Sequence, residues 1–111
     1  MQDRIKESDW KKYRAVHQAA LERFCDKVLS EIQYFIGERD KSSHARYLEI
    51  YKRIHERDET IADLFNDLKR SNAVFKLAGM RYQNLVTDDE YAQFSQDLRD
   101  EVELIQRVGR M

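Results

Sequence analysis

His17 and Asp58 are the two residues of this chain whose chemistry conflicts with their position. At about 100° per residue, each falls within an otherwise apolar helical row. His17 lies among Trp10, Leu21, Phe24, Val28, Ile32 and Phe35. Asp58 lies among Tyr47, Ile50, Tyr51, Ile54, Ile61 and Phe65. An imidazole beside a carboxylate can exchange a proton, hold a ligand, or form a polar pair that fixes the register of two helices. A buried carboxylate with no partner is costly, so a His17–Asp58 pair is the expectation. Its first reading is structural. Its second is a ligand or catalytic site between helices, to which Tyr47, Tyr51 and His55 would contribute. No residue is assigned a catalytic role.

Other chemistry finds less support. His55, Asp58 and Glu59 have the i+3 and i+4 spacing that lets side chains converge on a cation. Di-iron bundles, however, need inward carboxylates on every helix and histidines on at least two. Three histidines and one cysteine are few for zinc, and no metal or cofactor is expected. Cys25 is eight positions from His17, about 12 Å along a helix, too far for a nucleophile–base couple. No glycine-rich phosphate loop or serine elbow occurs. TDDEYAQF lacks the glycine and alternating ligands of a calcium loop.

Helices must position these residues. The 111 residues include no proline and three glycines, and apolar residues come in spaced groups, which predicts one all-α domain spanning 1–111. The first helix is expected from Ser8 or Asp9, either of which could cap it, to about Ile36, with Gly37 as a left-handed stop. Cys25, Leu29 and Ile36 widen its apolar row on one side, and Tyr13 and Ala20 on the other. A row that wide needs more than one neighbour. Ser42 or Ser43 should cap the second helix. Its phase runs on through Phe75 and Tyr82, which for one helix would be about 60 Å long. A break near 69–72 is therefore expected, with a residual helix over 73–83. Asn84 suits a left-handed cap with Leu85 folding back. Thr87 and Glu90 have capping-box spacing, and a last helix is expected over 88–107. The predicted architecture is an antiparallel bundle of three long helices, the second broken, giving four segments.

The charge balance bounds the partners. Twenty basic and 21 acidic residues give a net charge of −1, and they are interleaved, unlike a nucleic-acid binder's basic face. No apolar run approaches a membrane span, the leader MQDRIKESDW is polar, and a lone cysteine excludes an internal disulfide. A cytoplasmic protein is the expectation. The most consistent role is a small interaction or scaffold module that self-associates, with some of Val16, Tyr34, Leu48 and Leu64 at a homodimer interface. The alternative is an enzyme or small-molecule binder built on His17 and Asp58.

Overall fold

The computed structural model describes residues 5–109; residues 1–4, the start of the polar leader, and 110–111 lie outside it. Every regular element among the described residues is helical. They are α1 (Glu7–Ile36), α2 (Ser43–Phe65), a 3-10 turn (Arg70–Asn72), α3 (Ala73–Tyr82), α4 (Asp88–Ala92) and α5 (Gln96–Gly109). The all-α expectation holds. The expected three long helices are instead two, of 30 and 23 residues, with three shorter ones.

Local signals explain most of the boundaries. Ser42 Oγ accepts from Ala45 N–H and starts α2. After α2, Asp67 takes φ 62°, and Asn72 Nδ2 donates to the Asp67 carbonyl. The break thus falls at 66–69, slightly before the expected place, and α3 follows much as predicted. Asn84 is left-handed at φ 62°, and Leu85 N–H returns to the Met80 carbonyl at 2.9 Å. The capping box is complete: Thr87 Oγ1 accepts from Glu90 N–H, and Glu90 Oε1 from Thr87 N–H. Gly37 differs from expectation. Its φ is −79°, so the helix ends without a left-handed residue.

The last helix is broken, contrary to expectation, and one acid explains why. Asp9 does not cap α1, which begins after Lys6 with no side-chain cap. It is buried against the start of α5, where its carboxylate accepts from Ser95 N–H at 2.9 Å and Ser95 Oγ at 2.6 Å. Ser95 Oγ accepts in turn from Leu98 N–H. A carboxylate there satisfies free N–H groups and complements the positive helix end. The new start lets Phe94 and Leu98 both point inward, where each is 2% exposed.

Two parts result. A body forms where Tyr13, Val16, Ala20 and Phe24 of α1 meet Leu77 and Met80 of α3, Leu85, Phe94, and Leu98 and Val102 of α5. Arg23 clamps it, donating to both Glu90 carboxylate oxygens at 2.7 and 2.8 Å and to the Leu85 carbonyl. Beyond Phe24, α1 buries only Phe35, and α2 buries only Phe65. The distal halves of α1 and α2 therefore leave the body as a two-helix arm. The molecule measures 57 × 27 × 22 Å, and its radius of gyration is 17.0 Å, against roughly 13 Å for a compact domain of this length.

Candidate functional site

The two helices of the arm meet along heptad-spaced rows. On α1 the row is His17, Leu21, Phe24, Val28, Glu31 and Phe35, and on α2 it is Arg46, Ile50, Arg53, Arg57, Thr60 and Leu64. All of these positions are half-buried or buried. Steps of 4, 3, 4, 3 keep such rows in register as two helices wind around each other. The middle of this seam is ionic. Glu31 accepts from Arg57 at 3.0 and 2.9 Å and lies 3.2 Å from Arg53. The Arg57 hydrogen bonds hold its carboxyl below the usual range. Arg53 also lies over the Phe35 ring, 4.9 Å from its centroid.

A second row lies one residue further along each helix. On α1 it is Cys25, Leu29, Ile32 and Ile36, and on α2 it is Tyr47, Tyr51, Ile54 and Asp58. Displacement by the same sense from the shared seam puts both rows on one side of an antiparallel pair. This side has no cover. Leu29, Ile36, Tyr47, Tyr51 and Ile54 are 46–65% exposed. The α2 row continues through Ile61 to Phe65, and only there is it covered, by His17 and Phe24. The opposite side of the arm carries Lys27, Ser30, Lys52 and Glu56, all exposed, beside Tyr34.

The expected polar pair does not form. His17 Nε2 lies 3.1 Å from the Phe65 carbonyl, and its ring packs edge-on to Phe65. Asp58 is exposed on the outer row with Tyr47 and Tyr51, and His55 is exposed one position beyond that row. The row read from apolar residues is rotated by about one position, because apolar spacing passes over half-buried Arg46, Arg53 and Arg57. Here Arg46, Arg53 and Arg57 lay their stems on α1 while their charged ends reach a carboxylate or a carbonyl. Of the residues expected at a dimer interface, Val16 is buried in the body and Leu64 lies half-buried in the seam beside Gly79. Leu48 and Tyr34 are exposed but outside the outer row.

One partnership has no counterpart among the expected contacts. Asp9 and Ser95, 86 positions apart, carry no local signal of their partnership. Among the described residues, no group of three His, Cys, Asp or Glu side chains could hold a metal ion, and no helix is long and apolar enough to cross a membrane. A cleft of about 680 Å³ opens between α3 and α5, away from His17 and Asp58. It is lined by Phe75, Ala78, Gly79, Tyr82, Ile105, Gln106 and Gly109, of which only Tyr82 carries an ionisable group. The arm's outer face, with five large apolar side chains exposed, is the candidate interaction surface. No protein-family model matches the chain, and neither a curated protein nor a solved structure matches it.

Proposed function

We propose that this chain is a helical interaction module whose docking surface is the outer face of the arm. The observation that carries this reading is the uncovered row of Leu29, Ile32 and Ile36 beside Tyr47, Tyr51 and Ile54. Its five most exposed members expose on the order of 600 Å² at roughly 200 Å² per large side chain. That is the upper end of what a monomer's largest patch displays, and such patches mark interaction sites. The heptad spacing favours a helical occupant, because knobs on these rows fit holes in another helix pair. The body's part is to hold the arm out. A cytoplasmic setting fits, since a lone thiol on this face suits a reducing compartment. The reading built on His17 and Asp58 loses its support, because the two residues face different surroundings.

Site-specific photocrosslinking tests the proposal. A benzophenone amino acid replaces Tyr51 on the outer face or Glu56 on the opposite one, in cells that make the protein naturally. A polypeptide adduct at position 51 and none at 56 is expected. No adduct at 51, or equal adducts at both, would overturn the docking face.

A further inference from the structure

We infer that the occupant of the outer face is a second copy of this chain, docked antiparallel, so that two arms form a four-helix bundle. This inference rests on the interaction-module reading and names its partner.

The first argument is area. A stable interface takes roughly 800 Å² from each partner. The five exposed apolar side chains provide most of that, and half-buried Cys25 and Ile32 with exposed Asp58 extend it along the same rows. The second argument is continuity. The α2 row Tyr47–Tyr51–Ile54–Asp58–Ile61–Phe65 is one heptad seam, of which the body covers only the Phe65 end. Each helix of the arm thus carries two adjacent seams and fills one. Helices of four-helix bundles have this pattern, and a hairpin needs one more hairpin to complete the bundle. A copy of the same hairpin supplies identical rows with identical spacing, as a two-fold interface requires.

The third argument is Asp58, and it sets the direction. The contacts between Glu31 and Arg57 and between Phe35 and Arg53 place Ile32 and Ile54 at about the same height, in the middle of the outer face. A two-fold axis there, perpendicular to the arm, lays α2 over α2 with the chains running oppositely. Asp58, four residues below Ile54, then faces the level four residues above it on the second copy. Tyr47 and Tyr51 of that copy flank this level, and either hydroxyl can donate to the carboxylate. With the arms parallel, Asp58 would instead face Cys25 and Leu29 of the other copy, where the only donor is the weak thiol of Cys25. A buried polar group of this kind selects one register at some cost in affinity.

Disulfide trapping tests partner and direction together. In a Cys25→Ser background, Ile54→Cys lies on the two-fold axis. Under mild oxidation it should give a covalent two-copy species, and Lys52→Cys on the opposite side should not. Light scattering should report a two-copy mass for the unsubstituted chain at micromolar concentration. A covalent dimer from Ile32→Cys/Ile54→Cys but not from Ile54→Cys alone would overturn the antiparallel arrangement. A one-copy mass with no trapping in any variant would overturn the second-copy inference. An adduct at position 51 to a different protein would then leave the interaction-module reading standing, and the lack of any adduct would remove both.

Discussion

At the scale of single residues, two aspartates exchange the roles their neighbours suggest. Asp58, in an apolar row, is exposed, whereas Asp9, in the charged first turn of α1, is buried on Ser95. Asp9→Ala strands two donors at the start of α5 and should cost about 2–3 kcal/mol. Asp58→Ala in dilute solution should stay within about 0.5 kcal/mol of wild type. Denaturant midpoints at unchanged slope measure both, and the reverse order would contradict these assignments. In the proposed dimer, removing both Tyr47 and Tyr51 hydroxyls leaves Asp58 without a donor. Tyr47→Phe/Tyr51→Phe should therefore raise the dissociation constant about tenfold, and further replacement of Asp58 by leucine should recover most of the loss. An unchanged constant in the double variant would show that the hydroxyls do not meet the carboxylate. Glu90 gives a pH test. The Arg23 hydrogen bond, aided by Thr87, holds its carboxyl below the ordinary range. The stability it confers is complete above the unfolded value near ~4.3 and is lost as pH falls through the lower folded value. Glu90→Gln should thus be less stable than wild type at neutral pH and converge with it in acid. A constant difference across that range would contradict the linkage.

At the scale of elements, local chemistry was legible and long-range pairing was not. The capping box at Thr87, the Ser42 cap, Asn84 and the α2–α3 break all rest on residues within a few positions of each other, so the sequence displays them. Thr87→Ala should cost about 1 kcal/mol, since it removes the side-chain acceptor of the box. A melt identical to wild type would contradict that helix start. The split between α4 and α5 was hidden because its cause, Asp9, is at the other end of the chain. The inner face of α2 was misplaced for a related reason. Apolar counting passes over Arg53 and Arg57, yet in the seam their stems and Glu31 replace aliphatic knobs. The width of the α1 row, by contrast, correctly signalled more than one neighbour. Its Tyr13 and Ala20 flank meets the body, and its Cys25, Leu29 and Ile36 flank is the uncovered face.

At the scale of the whole molecule, the arm is the less supported part. Two helices joined by a polar loop bury little beyond Phe35, and local stability follows buried apolar contact. Amides of 29–36 and 47–54 should exchange hydrogen faster than those of 76–80 and 100–105 in dilute solution. They should slow selectively as concentration rises, whereas concentration-independent exchange would uncouple the arm from association. The most direct test of the account is sedimentation equilibrium of the wild-type chain beside Ile54→Glu. That side chain is 46% exposed in one copy, so the charge leaves the fold intact by circular dichroism. The account predicts a two-copy mass for the wild type at micromolar concentration, falling to one copy on dilution, and a one-copy mass for Ile54→Glu throughout. A wild-type chain that remains a single copy, or an Ile54→Glu variant that associates as well as the wild type, would contradict it.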